Sequence, residues 1–278
     1  MAGFAIVSNN AFPTDSPAFG EIVAGDALEH AARISSANNN IDLSDNEYSH
    51  TNVSDISYSS AGVTNGAGNA YIQTNFDNKA DNSFTIYCTA KADLNGQSSY
   101  STWLCGNFVG TAAGGLGIYI RSETDPNNAG KLRVIARASI TRKRVSDGVF
   151  GSSFADLILL DNLTVLPSSL EWLVLAMEFD LSTRVQRMRN VITGASVTVG
   201  QTDSDWVVYD FSGANRNSVP SNVPNHRLLF AASTLDNTNT MTLGEHFYWS
   251  RLLTPSELAE QLSYSRAFMS ANRGVNLP

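Results

Sequence analysis

The stretch "SFTIYCTAKA", residues 83–92, sets the terms for the whole chain. It puts Phe84, Ile86, Cys88 and Ala90 on one face of an extended backbone and Thr85, Tyr87, Thr89 and Lys91 on the other. A period of two belongs to a strand that separates two environments. The pattern recurs downstream of about residue 56. "STWLCGNF" reads with Trp103 and Cys105 on one face, and "GLGIYIRS" and "KLRVIARASI" follow around the turn-rich "ETDPNNAG". "EWLVLAMEF" is apolar on both faces, as in a strand covered on both sides. "DLST" is a tight connection into "STRVQRMRN", which predicts a hairpin, and "HRLLFAAS" and "LGEHFYWSRL" close the series. Nine or ten strands are expected, with the longest loops near 145–168 and 200–225. No fixed-period repeat and no biased linker marks a second β domain.

Composition agrees with an all-β chain rich in turns. Of 278 residues, 42% are hydrophobic and only 16% charged, and Asn, Ser, Thr and Gly fill the difference. The net charge of −8 argues against nucleic acid as the main partner. That charge is concentrated: residues 1–60 hold eight acids against the single base Arg33, a balance of −7. Two cysteines, Cys88 and Cys105, make no disulfide framework. Both face inward on neighbouring strands, where the expectation is free buried thiols, with a disulfide as the alternative. "MAGFAIVSNN" has no basic n-region, so no signal peptide is expected, and no run approaches 18 apolar residues, so no membrane insertion is expected.

Only two helix signals stand out. "GDALEHAARI" offers Asp26 as cap and Glu29 three residues on, which predicts a short helix. The second is stronger: Thr254 as cap, Pro255 at the first position, Glu257 completing the box, Leu258, Leu262 and Met269 on one face, and Gly274 as a stop.

The strand-to-helix passage "GEHFYWSRLLTPSEL" resembles the end of a concanavalin A-like jelly roll of the laminin G-like lectin/glucanase type. Gly244, Phe247, Arg251, Leu253, Thr254, Glu257 and Leu258 match its G-x-[IF] … [RN]-x-L-[ST]-x-x-E-[IL] pattern. "NAYIQTNFDNKADNSFTIYCTAKA", "EWLVLAMEFD" and "RLLFAAST" resemble earlier strands of that family, and the resemblance covers roughly residues 56–265. It implies an antiparallel jelly-roll β-sandwich with an N-terminal extension (residues 1–55) and a domain over 56–278 ending in a short helix. It also places Trp172, Phe230 and Trp249 between the sheets. The fold hosts lectins, hydrolases and viral surface proteins, so it does not fix function.

Glucanases of this superfamily need two carboxylates about 5 Å apart on one strand face. Glu178-Phe179-Asp180 is the nearest match, but the second Glu of the motif is missing, so no catalysis is expected. His30, His50, His226 and His246 share no metal-ligand spacing and read as isolated residues, so no metal site is expected among them. "DLSDNE", "ETDPNN" and "DNTN" are oxygen-rich enough to consider Ca²⁺, though none supplies a full ligand set and ordinary turns are the better reading.

Basic residues cluster twice. Lys131, Arg133, Arg137, Arg142, Lys143 and Arg144 lie in one strand and its exit, and Arg184, Arg187 and Arg189 in a later hairpin. Two readings stand: a solvated outer sheet balanced by acids, or a site for an anionic glycan or acidic partner. Residues 1–55 are expected to anchor the protein to another chain or another copy of itself. Phe4, Ile6, Val7, Phe12 and Phe19 are the expected contacts, because such a segment stays disordered unless it docks. Packing along its own sandwich as added edge strands is the alternative.

A lone lectin-like domain with this surface and no export signal resembles virion surface proteins of tailed bacteriophages, assembled in the host cytoplasm. That resemblance implies a non-enzymatic head-decoration or tail-associated subunit, with other virion proteins and a cell-surface glycan as partners. An adhesin or receptor-binding protein is the alternative, and a polysaccharide hydrolase a further one.

Overall fold

The computed structural model describes residues 22–23, 27–36, 40–54, 56–65, 70–76, 82–94, 100–109, 114–200, 206–208, 226–231 and 240–278. They form two eight-stranded antiparallel sheets packed face to face, with one helix on the outside, a jelly-roll β-sandwich. Among the described residues there are sixteen strands, more than the nine or ten expected.

The first sheet contains β1 (Leu28–Ala32), β3 (Ile56–Ser59), β4 (Gly62–Asn65), β6 (Phe84–Asp93), β11 (Leu173–Asp180), β12 (Val185–Asn190), β13 (Ser196–Gly200) and β16 (Thr240–Trp249). Its order is β13-β12-β11-β6-β16-β4-β3, with β1 also paired to β16. The second contains β2 (His50–Val53), β5 (Tyr71–Thr74), β7 (Ser101–Val109), β8 (Gly114–Thr124), β9 (Leu132–Arg144), β10 (Phe150–Leu163), β14 (Trp206–Val208) and β15 (Arg227–Ala231). It runs β10-β9-β8-β7-β15-β5-β2, with β14 on β9.

The alternation in β6 is realised: Phe84, Ile86, Cys88 and Ala90 enter the core between the sheets, while Tyr87 faces the other way. In β11, Leu175, Met177 and Phe179 face the core, and Val174 and Ala176 pack under the helix, so both faces are covered. The hairpin into β12 is also present, with Asp180 opposite Val185.

Several expectations are corrected. Residues 28–32 form strand β1, not a helix. Pairing with the outer half of β16 gives its backbone partners and buries His30, Ala31 and Ala32. Glu29 accepts from Ser250 Oγ at 2.9 Å instead of closing a capping box. With β2 paired to β5, residues 28–32 and 50–53 are strands of the two sheets. Phe4, Ile6, Val7, Phe12 and Phe19 lie outside the described residues, as does most of the expected 200–225 loop. The expected 145–168 loop contains β10, the longest strand; its mixed "GSSF" and "LILL" pattern reflects an edge strand with one half-exposed face. Trp103 and Cys105 point to opposite faces, because an irregularity between them in the β7–β8 register shifts the parity. Finally, Trp249 and Trp172 sit on the outer side of the first sheet under the helix, not between the sheets.

Helix α1 (Pro255–Arg273) covers that outer side. The resembling motif now has a physical account. Thr254 Oγ1 accepts from Glu257 N–H at 3.2 Å, and Glu257 accepts from Thr254 N–H at 2.7 Å. Arg251 grips both Glu257 oxygens at 2.7 and 2.9 Å. Leu253, Leu258, Leu262 and Met269 are buried with Phe247 and Trp249. Gly244 is needed because a Cβ there would stand 2.8 Å from Met269 Cε and 2.6 Å from Thr89 Oγ1. The helix ends at Gly274 in the left-handed conformation, which glycine adopts without strain.

Candidate functional site

Each base singled out in the sequence has a definite place. On β9, Val134, Ala136 and Ala138 point into the core, so Arg133 and Arg137 point outward. Arg133 donates to Glu123, which lies directly opposite on β8, at 2.7 Å. Arg137 is paired bidentately with Asp156, directly opposite on β10, and donates to Tyr119 Oη at 3.0 Å. Lys131 Nζ reaches Thr164 Oγ1 at 2.9 Å. Arg142 sits half-buried between Gly151 of β10 and Val208 of β14, Lys143 lies over the Phe150 ring, and Arg144 pairs with Asp147. Arg184 is exposed in the β11–β12 turn. Arg187 and Arg189 flank Glu178 on β12 at 3.6 and 3.2 Å. Arg133, Arg137, Arg187 and Arg189 therefore form cross-strand ion pairs, whereas Arg144 pairs within its own turn. The two basic stretches lie on different sheets and do not make one patch.

What the outer face of the second sheet does make is a lateral band. Trp103 of β7 stacks on Tyr119 of β8 with ring centroids 4.5 Å apart. Arg137 follows on β9, its guanidinium 4.5 Å from the Phe154 ring of β10. On the other side, Tyr71 packs against the Trp103–Tyr119 pair, and Arg227 lies 4.2 Å over the Tyr71 ring while donating to Gln73 at 3.0 Å. Phe154 is 42% exposed. Within the band Trp103 and Tyr119 are buried, and the exposed ring is Phe154, beside an Arg137 guanidinium whose side chain is 12% exposed and whose orientation is fixed by Asp156 and Tyr119. An exposed ring beside a fixed guanidinium suits a ligand with an apolar face and peripheral oxygens. Trp103 and Tyr119 were not expected to join Arg137, because the parity shift in β7 hides the alignment.

The carboxylates considered for catalysis are otherwise engaged. Phe179 enters the core, so Glu178 and Asp180 face outward. Glu178 is held by Arg187 and Arg189. Asp180 accepts from Ser182 N–H, Ser182 Oγ and Thr183 Oγ1, which holds its carboxyl below the usual range and makes it a turn staple. Asp42, in the first oxygen-rich loop, accepts from the N–H groups of Ala31, Ser44 and Tyr48. Asp125, in the second, accepts from Asn127 and Asn128. Both act as loop staples. "DNTN" lies outside the described residues.

The histidines are not isolated. All four meet between the sheets in a ladder of ring nitrogens. His50 Nε2 stands 2.9 Å from His30 Nε2, His30 Nδ1 is 3.0 Å from His246 Nδ1, and His246 Nε2 is 3.1 Å from His226 Nε2. Asn40 donates its amide N–H to Asn52 at 2.8 Å and turns its oxygen to His50 Nδ1 at 3.2 Å. Neutral imidazoles carry one N–H each. His50 then donates from Nδ1 to Asn40, His30 from Nε2 to His50, His246 from Nδ1 to His30, and His226 from Nε2 to His246. Burial favours this neutral state: it pushes His226 and His246 well below the ordinary range, lowers His30, and brings His50 to about 3. Beside the ladder, the buried thiols of Cys88 and Cys105 are free, with sulfurs 3.7 Å apart. Residue spacing hid this cluster because its members come from five strands and a strand entry.

No protein-family model matches the chain, and no curated protein matches it in sequence. Its fold does match solved structures. A ligand-binding domain of botulinum neurotoxin serotype D in complex with N-acetylneuraminic acid superposes with TM-score 0.52 at 8% identity, over 86% of this chain and 51% of that one. Another serotype D binding domain gives 0.54 at 9% identity, over 86% and 52%. The type G receptor-binding domain gives 0.51 at 13% identity, over 85% and 51%. The chain spans about half the length of these domains. At such identities the likeness is one of fold, and the chain is similar to the β-sandwich of these binding domains.

Proposed function

We propose that this protein is a non-enzymatic glycan-binding domain whose binding face is the aromatic and arginine band on the outer side of the second sheet. The observation that carries the reading is the pre-set Arg137 guanidinium beside the exposed Phe154 ring. A pyranose presents an apolar C–H face to such a ring and its oxygens to the guanidinium N–H groups that Asp156 and Tyr119 leave over. The bidentate hold of Asp156 keeps Arg137 in place before the ligand arrives, which lowers the ordering cost of binding. The Arg137 guanidinium suits a sugar that carries an acidic group. Isothermal titration with a sialic acid-terminated oligosaccharide and its neutral galactose-terminated counterpart tests this. Phe154→Ala, at an exposed position, should leave folding intact and weaken binding about tenfold, the equivalent of ~1.4 kcal/mol. Binding to neither sugar, or binding indifferent to Phe154→Ala and Arg137→Lys, overturns the reading.

A finer reading, a bacteriophage virion subunit displaying this domain, rests on the sequence of the N-terminal segment. Its apolar patches around Phe4 to Val7 and Phe12 to Phe19 give it docking groups, and the acids of residues 1–60 give it charge. Val23 is tied into the body by Gln261 and Trp249, so a fair deletion stops at residue 21. The truncated protein should fold and lose its assembly partner; normal assembly without residues 1–21 rules the anchor out.

A further inference from the structure

We propose that Cys88, Cys105 and His246 form a buried zinc site at the centre of the sandwich, with His30 as its positioning residue. Cys88 comes from the first sheet and Cys105 from the second, so the ion would tie the two sheets together. His246 lies beside Cys88 in the β16–β6 register, and ligand atoms of all three residues fall within 4.8 Å of one another.

The sulfur separation is informative. Two thiolates each about 2.3 Å from a tetrahedral zinc stand about 3.8 Å apart. The 3.7 Å separation, at which the two thiols hydrogen-bond without an ion, already equals that spacing, so zinc can enter without moving the strands, and it is far beyond a disulfide bond length of about 2.0 Å. The ligand types also fit, since thiolate and imidazole together favour zinc over calcium or magnesium. Charge balance fits the burial. On binding, the two thiols lose their protons to solvent, and a doubly charged cation with two thiolates is net neutral. That matters where all three side chains are fully buried and an uncompensated charge is costly.

The imidazole ladder supplies the second layer. Its tautomers leave His246 Nε2 as a lone pair and place the His246 proton on Nδ1, donated to His30. Metal-bound histidines are commonly held in this way through the other ring nitrogen. In the ion-free ladder His226 Nε2–H donates to His246 Nε2 at 3.1 Å, so zinc at His246 Nε2 replaces that hydrogen bond, and His226 ligates only if its proton moves to Nδ1. No spacing motif announces this site because its ligands lie on β6, β7 and β16.

The test uses the full chain, purified without chelator and, separately, refolded with zinc sulfate. Elemental analysis should find about one zinc per chain. Cobalt loading should give the intense thiolate-to-cobalt charge-transfer band and the visible bands of a tetrahedral ion. Cys88→Ser and His246→Gln should abolish both signals, and His30→Gln should weaken zinc affinity about tenfold or more while keeping the cobalt geometry. If the ligand variants do not fold, the wild-type zinc content and cobalt spectrum decide. A wild-type chain without zinc or a cobalt–thiolate band after refolding overturns the proposal. So does a Cys88–Cys105 disulfide found by intact mass.

Discussion

The two faces of strand β16 are built on opposite principles. Outward, Phe247 and Trp249 pack with Tyr87, Leu258, Leu262 and Met269 in a layer closed by the next 25 residues of the chain. Inward, His246 meets His30 and His226, which arrive from 216 and 20 residues away in sequence. The outer layer is mainly apolar, apart from one buried Arg33–Glu245 ion pair, and its helix side is locally encoded. The inner cluster is polar, fully buried and assembled from distant segments. Alternating residues of one strand thus serve a stabilising cover and a specific polar centre. The price of the second is that every buried nitrogen needs a partner.

The difference predicts unequal responses to substitution. The largest effect belongs to the outer face. Trp249→Ala removes a fully buried ring and its 2.9 Å bond from Nε1–H to the Val23 carbonyl, and should lower stability in urea unfolding by about 3–5 kcal/mol. A loss under about 1 kcal/mol would mean that the helix layer is not packed as described. On the inner face, measured in chelator so that no metal contributes, His246→Ala leaves His30 and His226 without their shared partner. The cost should be about 1–3 kcal/mol for each polar group left unsatisfied. If His246→Leu is as stable as wild type, the ladder is not made of neutral, mutually bonded rings.

The same contrast explains what was legible in the sequence. The cap Thr254, the box Glu257, the Leu258/Leu262/Met269 face and the Gly274 stop are contacts within one helix turn or two, and sequence spacing displays them directly. The β6 and β11 patterns were legible because their environments alternate without interruption. Trp103 misled because one irregular residue in β7 reverses every later assignment. β1 misled because Glu29 sits where a capping box would want it, while the backbone pairing that decided the outcome comes from β16, more than 200 residues on. The arginines of β9 were visible as a cluster and their balance by acids was one of the two readings, but which acids was not legible, since Glu123 and Asp156 are joined to them only by register. The inward-facing cysteines were legible as buried free thiols, but the histidines that join them were not: metal motifs are read along one chain segment, and this cluster draws on six.

The smallest predicted effect probes the most local element of the outer face. The Arg251 guanidinium and the Thr254 N–H hold the Glu257 carboxyl down at about 2, against an ordinary 4.5. A depressed folded-state value means that the ionised carboxylate stabilises the native chain above pH 4.5 and that this support fades as the pH falls toward 2. Glu257 is half-buried and its ion pair with Arg251 is still in reach of solvent, so the stabilisation is that of a screened surface pair plus a helix cap, and Glu257→Gln should cost about 1 kcal/mol at neutral pH. Thr254→Ala should cost about the same, and the double variant less than the sum, because both residues belong to one box. Urea unfolding of wild type and Glu257→Gln across this pH range reads the effect directly. The two curves should converge as the carboxyl protonates. A gap that stays constant down to pH 2 would show that Glu257 acts through packing or shape and not through its charge, and the cap would then join the apolar cover instead of serving as its electrostatic latch.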